Sequence, residues 1–306
     1  MSILLTGGLG YIGSHLAVSL LEQNHEVVIL DNLSRSDISV FDNIQSLVPH
    51  NTSITLYTGS IDNTQLLETI TTNHKITHVI HLAGYKSVSE SIKYPELYFD
   101  NNVNKSVVLL EYLVKNGINN FIFSSSATVY APSDELLEET SKTEPVSTYG
   151  LTKLMFENVL RTQSKNNPLF NATILRYFNP IGEHPSGLLK DTGKDNLYPA
   201  IKTALKNNTP INVYGNDYPT PDGTCIRDFI NIQELVDAHI LFLTENNCGC
   251  EIYNVGTGKG RSVLDIIAEF PTLEYKIKPR RNGDAPSLVC SNNKIARRIA
   301  VKCNIK

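Results

Sequence analysis

Thr6-Gly7-Gly8-Leu9-Gly10-Tyr11-Ile12-Gly13 follows a short apolar run and leads into a stretch where Ile12, Leu16 and Leu20 recur every fourth residue. A run of that kind, then glycines, then a helical period, is the strand–turn–helix unit that cradles a pyrophosphate on backbone N–H groups. Each glycine has its own task. Gly7 permits the tight turn, Gly10 lets backbone approach the pyrophosphate, and Gly13 lets the helix pack closely on the strand. Eighteen residues past Gly13 a second apolar run ends at Asp31, whose carboxylate can accept hydrogen bonds from an adenosine ribose diol. That carboxylate would repel a 2′-phosphate, so NAD is expected over NADP, with Arg35 nearby weighing the other way. A glycine turn alone is weak evidence; here strand, helix and acid come in the required order.

Outward from this unit, strand candidates at 3–6, 27–30, 54–57, 78–82, 121–124 and 172–177 are short and apolar on both faces. Such runs suit a parallel sheet covered on both sides. Helical patterns at about 12–25, 64–73, 101–116 and 148–165 lie between them. The alternation predicts an α/β fold, a doubly wound parallel (Rossmann) sheet, with a smaller C-terminal α/β lobe for substrate. After Asn179-Pro180, Gly, Pro and Asn become frequent and the alternation stops. The expected division is 1–178 for the dinucleotide and 179–306 for the second lobe, with segments near 226–245 returning to the first. Helices are expected near 196–207 and 233–245, and a strand at 252–255. Helix 101–116 carries two apolar stripes, one of Val103, Val107, Leu110 and Val114, the other of Val108, Leu109, Tyr112 and Leu113. One stripe can cover the sheet; the other predicts a second copy of the chain, hence a homodimer.

The 306 residues are 41% hydrophobic and 19% charged, enough apolar material for a large core. Net charge is −4, which gives no electrostatic case for nucleic acid or an anionic membrane. No stretch approaches the ~20 apolar residues of a membrane span. The N-terminus has neither a charged lead nor a long apolar core, so no secretory leader is expected and the cytoplasm is the expected compartment. The five cysteines (Cys225, Cys248, Cys250, Cys290, Cys303) are odd in number and lack zinc spacing. They read as reduced structural thiols, and no metal is expected.

Tyr149-Gly150-Leu151-Thr152-Lys153 puts a phenol and an ammonium on one helical face. A free phenol, with pKa of about 10, is too weak a base at neutral pH. A fixed ammonium and a positive nicotinamide would both favour the phenolate, making Tyr149 a general base and acid. Lys153 can also hold the nicotinamide ribose. Ser124-Ser125-Ser126 ends a strand at the carboxyl edge of the sheet, where ligands bind in this architecture, and Ser126 can bridge a sugar hydroxyl and the phenol.

Tyr-x-x-x-Lys with an upstream Ser and an N-terminal GxxGxxG resembles the extended short-chain dehydrogenase/reductase superfamily. Further stretches resemble its UDP-glucose 4-epimerases: His81-Leu82-Ala83-Gly84, 98–104, 124–130, Leu175-Arg176-Tyr177-Phe178-Asn179-Pro180, His184-Pro185-Ser186-Gly187, 214–220, Ile226-Arg227-Asp228 and Pro279-Arg280-Arg281. The resemblance covers nearly the whole chain. It implies an NAD-dependent isomerase acting on a UDP-hexose, with Ser126 and Tyr149 as the proton-transfer pair and Lys153 on the cofactor. It implies NAD contacts from Gly7, Gly10, Tyr11, Ile12, Gly13, Asp31, Asn32, Leu82, Ala83, Lys86, Asn101, Tyr149, Lys153 and Tyr177. For the UDP-sugar it implies Ser126, Asn179, Asn196, Leu197, Val213, Tyr214, Arg227, Arg281 and Asp284. On chemistry alone, Arg227 and Arg281 suit a pyrophosphate and Asp284 a ribose.

The sequence departs from the family in places. Gly59 is followed by Ser60 where an Asp near the adenine is usual, and Tyr130 by Ala131 where Gly is usual. The sequence ends at Lys306, where family members continue into further helices and a tryptophan-bearing segment, and it contains no Trp. Two rivals stand beside the epimerase reading: a nucleotide-sugar 4,6-dehydratase or decarboxylase, and a catalytically inactive NAD-binding regulator. Against a dehydratase, Ala127 and Thr128 stand where those enzymes carry an Asp-Glu pair. In the family a position near Leu288 borders the sugar C2 substituent. Leu there predicts preference for UDP-galactose and UDP-glucose over N-acetylated sugars.

Overall fold

Seven parallel strands form the main sheet, and their order fixes where a ligand can enter. A computed structural model of the chain describes residues 1–193, 196–243 and 249–303, the last three by backbone only. The strands begin with β1 (Ser2–Thr6), β2 (Glu26–Asp31), β3 (Ile54–Thr58), β4 (Ile76–His81), β5 (Asn120–Ser126) and β6 (Asn171–Tyr177). After β7 (Asn179–Ile181), β8 (Ile211–Tyr214) and β9 (Ile226–Asn231), strand β10 (Cys250–Val255) rejoins the sheet. Its order is β10-β6-β5-β4-β1-β2-β3. From β1 the chain winds one way to β2 and β3, then crosses to β4 and winds the other way. The crevice at the carboxyl ends of β1 and β4 is therefore the switch point where such sheets bind ligands.

All five residues of β1 are buried. Alternation along the strand sends Ile3 and Leu5 to one face and Leu4 to the other. The first face is covered by α1 (Tyr11–Glu22) through Leu16 and Leu20, the other by α3 (Thr64–Asn73) through Leu67 and Ile70. Between them lies α2 (Ser39–Leu47). Two short helices, α4 (Val88–Lys93) and α5 (Pro95–Phe99), break at Tyr94-Pro95, where proline fits the first turn of the second. The expected helix 101–116 opens instead as a π-turn, 100–104, and continues as α6 (Lys105–Lys115). Leu109, Leu110 and Leu113 are all buried in the core under the sheet, with Val107, Tyr112 and Val114 packed against it. Both stripes thus turn into one core, and the second does not stand free. Helix α7 (Thr148–Asn166) adds Phe156 and Leu160 to this core.

Past residue 178 the chain builds a smaller lobe and also comes back. Helix α8 (Leu197–Asn207) packs with β8 around Ile201 and Val213. Helix α9 (Ile232–Leu243) lies on α1; residues 244 and 245 of the expected helix, and Cys248, lie outside the described residues. Strand β10 pairs with β6 from Cys250↔Ala172 to Val255↔Tyr177. It satisfies backbone groups that β6 would otherwise leave bare at the edge. Then come β11 (Gly260–Ser262), α10 (Val263–Ile267), β12 (Tyr275–Lys278), β13 (Ser287–Leu288) and α11 (Asn293–Cys303). Strands β7, β11 and β13 all pair with β9, while β12 pairs with β8. Among the described residues, no helix is long and apolar enough to cross a membrane.

Candidate active site

The glycine loop is pared to backbone because its neighbours leave no room for more. Gly7 has φ of +70°, and a Cβ there would stand 2.7 Å from the Ala83 nitrogen, just past β4. A Cβ on Gly13 would lie 2.5 Å from the Gly7 carbonyl oxygen. Gly10 caps α1, so the helix's first N–H groups face the crevice. Gly7, Gly10, Asp31, Asn32, Leu82, Ala83 and Asn101 line this crevice together. Asp31 ends β2 buried, and its carboxylate accepts from Leu9 N (3.1 Å), Leu33 N (2.9 Å) and Ser36 Oγ (2.8 Å), tying the glycine loop to the loop after β2. This narrow, backbone-walled cradle with a carboxylate at its far end fits a dinucleotide. Just past β3, Ser60 lines the crevice and donates its hydroxyl to Asp62, so a carboxylate stands two residues beyond Ser60.

The other residues expected at the cofactor also make contacts within the protein. Gly13 lies behind the loop as a packing element, and Ile12 packs on the core. Tyr11 donates its hydroxyl to the Gly182 carbonyl (2.7 Å), linking α1 to the segment after β7. Lys86 pairs with Asp191 at 3.5 Å. Tyr177 is buried and hydrogen-bonded to His239 on α9 at 2.5 Å.

Beyond the crevice, Ser126, Tyr149 and Lys153 converge where β5 ends and α7 begins. Ser147 caps α7 by accepting from Gly150 N (3.1 Å), and Ser91 on α4 accepts from Tyr149 N (3.0 Å). Ser126 Oγ accepts from Thr128 N (3.2 Å) and Thr128 Oγ1 (2.9 Å), which leaves its own proton to donate. Its bond to Tyr149 lowers that phenol, but burial wins and pushes Tyr149 up to about 12. Lys153 Nζ donates to the Ser124 carbonyl (2.7 Å) and sits over the Phe123 ring, 5.9 Å from the centre of the Tyr149 ring. Burial brings Lys153 down to about 8, partly opposed by Glu157 one turn along the helix. The ammonium therefore stands over the phenol without donating to it. Asn102, in the π-turn, accepts from Tyr85 N (2.8 Å) and donates to Thr152 Oγ1 (3.3 Å), joining the crevice wall to α7. Sequence reasoning missed Asn102 and Ser91. The stretch 98–104 was the only signal for the first.

The third group lies around β9. Arg227 donates to the Ala285 carbonyl (2.8 Å) and stands 3.9 Å from Asp284. Arg281 Nε donates to Asp284 Oδ2 (2.8 Å), and its guanidinium lies over the Tyr214 ring at 4.9 Å. Arg227, Arg281, Asp284 and Tyr214 thus form one cluster, with the arginines already paired to a carboxylate. Val213 does not join them: strand alternation turns its side chain into the lobe core, where Leu197 also packs. Asn196 donates to Asp191, the partner of Lys86. Asn179 opens β7, paired with Phe229 of β9. Leu288 is buried in one apolar cluster with Ala127 and Phe178, next to Ser126.

The sequence profile of the NAD dependent epimerase/dehydratase family matches residues 3–256. The UDP-glucose 4-epimerase of Yersinia pestis is 42% identical over 312 aligned residues, spanning 98% of this chain and 92% of that one. The crystal structure of UDP-glucose 4-epimerase from Bifidobacterium longum in complex with NAD+ and UDP superposes with a TM-score of 0.93 at 35% identity, over 98% of this chain and 92% of that one. A UDP-glucose 4-epimerase from Stenotrophomonas maltophila, with bound NAD and formylated UDP-arabinopyranose, gives a TM-score of 0.91 at 36% identity, with the same coverage.

Proposed function

This chain belongs to the NAD dependent epimerase/dehydratase family, and we propose that it is a UDP-glucose 4-epimerase interconverting UDP-galactose and UDP-glucose. NAD is its cofactor, held in the crevice between β1 and β4. In this reading residues 1–178 carry the dinucleotide and 179–306 chiefly the UDP-sugar, apart from the segments that return to the sheet. The observation that carries the reading is the meeting of Ser126, Tyr149 and Lys153 beside the crevice, where Lys153 lies against Gly84 of its wall.

Bound NAD supplies reversible two-electron acceptance at the sugar C4, which passes the substrate through a 4-keto form. The chain's own residues manage the proton and the fit. Tyr149 Oη takes the 4-hydroxyl proton and later returns it. Ser126, its oxygen already occupied by Thr128, donates toward the phenol and favours the phenolate. Lys153, fixed to the Ser124 carbonyl, holds positive charge beside the ring. Arg227 and Arg281 suit the pyrophosphate, and Asp284 the uridine ribose. Burial raises the phenol, so the positive charge of Lys153 and of a bound nicotinamide is what would favour its phenolate.

A dehydratase is disfavoured because Ala127 is buried and the Thr128 hydroxyl is committed to Ser126. Neither can protonate a leaving hydroxyl, and no 4-keto-6-deoxy product is expected by mass spectrometry. The decisive experiment adds UDP-galactose to purified protein and follows UDP-glucose by NMR. No conversion by NAD-loaded protein would turn the reading toward a non-catalytic regulator.

The homodimer and the cytoplasmic location belong to the same proposal. Leu151 and Met155, one turn apart on α7, are exposed and offer apolar surface to a second copy. Light scattering at micromolar concentration should give twice the chain mass. Cys225, Cys250 and Cys290 are unpaired thiols, which suits a reducing compartment.

A further inference from the structure

Arg35 stands four residues past Asp31, and the loop after β2 carries it into the wall of the dinucleotide crevice. Among the described residues lining that crevice it is the one cation. A free guanidinium beside the adenosine ribose is a ready partner for a 2′-phosphate, which it binds through charge-assisted hydrogen bonds. Arg35 is not free. Its Nη2 donates to both carboxylate oxygens of Glu90, at 2.7 and 2.9 Å. The guanidinium lies over the Tyr85 ring, 4.7 Å from its centre.

Glu90 is itself held in place. It accepts from the Tyr98 hydroxyl (2.8 Å), whose ring is fully buried and whose oxygen accepts from Ser87 N (3.0 Å). Its own N–H donates to Ser87 Oγ (3.3 Å) at the start of α4. The next residue, Ser91, accepts from the Tyr149 backbone. The carboxylate that holds Arg35 is thus mounted on a short helix pinned to both the crevice wall and α7. Arg35 and Tyr98 hold the Glu90 carboxyl below its ordinary range, so it stays charged.

We propose that Glu90 determines cofactor specificity: it holds the Arg35 guanidinium on Tyr85, and so withholds from the crevice the cation that a 2′-phosphorylated dinucleotide needs. Asp31 repels a 2′-phosphate, and Glu90 removes the counter-charge that would offset that repulsion. This rests on the reading of the crevice as a dinucleotide site.

The test measures which dinucleotide the protein holds. Wild type, Glu90→Gln, Arg35→Lys and the double variant Arg35→Ala/Glu90→Gln are equilibrated with equal NAD and NADP. Free nucleotide is then removed, the protein denatured, and the released dinucleotides quantified by chromatography. Releasing a half-exposed ion pair changes such populations several-fold, so the NADP/NAD ratio should rise about 3- to 10-fold in Glu90→Gln. It should fall back in the double variant. Arg35→Lys keeps the charge but has a shorter reach to Glu90 and no planar face for Tyr85, so it should move the ratio the same way, less far; it decides the matter if Glu90→Gln does not fold. An unchanged ratio in NAD-loaded Glu90→Gln overturns the proposal. So does an equal rise in the single and double variants, which would mean that lost negative charge, not a released arginine, is responsible. Wild type that holds no dinucleotide would instead overturn the reading of the crevice.

Discussion

Around Gly7 the crevice is walled by backbone; around Arg281 the second lobe presents a cluster of charged side chains. On the first side the space is set by strands buried on both faces, and a single methyl on Gly7 or Gly13 would collide with main chain. On the second, β9 carries Arg227 and the loop before β13 carries Arg281, and their positions depend on neighbouring groups: Arg281 on Asp284 and Tyr214, Arg227 on the Ala285 carbonyl. A backbone wall recognises a shape and cannot adjust. A wall of paired charges must exchange partners when a phosphate arrives, which makes binding strength tunable. The difference predicts that chemistry and affinity can be damaged separately.

The largest break should come at Tyr149. Tyr149→Phe keeps the ring on α7 and removes the proton acceptor, and general acid–base help is typically worth ~10²–10⁴ in rate. The loss should fall on kcat, with KM for UDP-galactose little changed. Turnover within a few-fold of wild type would move the base elsewhere. Arg281→Ala should do the reverse. A hydrogen bond to a charged group contributes about 1.5–3 kcal/mol, so KM should rise roughly 10- to 100-fold with kcat largely kept. Equal losses in kcat would mean that the charged side also positions the reacting carbon.

A third outcome sharpens the contrast through pH. His81, between Thr6 and Ser106, and His239, bonded to Tyr177, both belong to the sheet half. Burial lowers them to about 3 and about 4. The unfolded chain takes up protons below pH 6.5 while the folded chain does not. Stability is therefore complete above that pH and falls as pH drops toward 4, by at most about 1.4 kcal/mol per unit for each histidine. Thermal melts between pH 7 and 5 should show a falling Tm together with loss of bound dinucleotide. A flat Tm would mean that both rings accept protons in place. The smallest effect is expected at Leu288, buried beside Ala127. Admitting an acetamido group against it costs about 1–3 kcal/mol of overpacking. Leu288→Ala should raise kcat/KM for UDP-N-acetylgalactosamine several-fold relative to UDP-galactose. An unchanged ratio would show that Leu288 does not border the sugar.

The backbone side was the more legible in the sequence. Strands that are apolar on both faces, and glycines at fixed spacing, are local signals, and all seven sheet strands could be read within about two residues. The seventh, β10, reads as a strand, but its partner lies far back along the chain, and no local pattern names a distant neighbour. Helices α4 and α5 escaped because each is one turn or little more, too short for a period. The charged cluster could be nominated only by resemblance, since an isolated arginine says nothing about its partners. Val213 shows the limit: its neighbour Tyr214 faces the cluster, while its own side chain fills the lobe core.

That seventh strand also orders events during synthesis. The edge of β6 stays unpaired from the moment Tyr177 leaves the ribosome until Cys250–Val255 follows, about 70 residues later. At ~5–20 residues per second, that is roughly 4–15 seconds with a bare strand edge on a nearly finished sheet. The nascent protein is most open to pairing with other chains in that interval, and translation slowed within it should lower the yield of active enzyme.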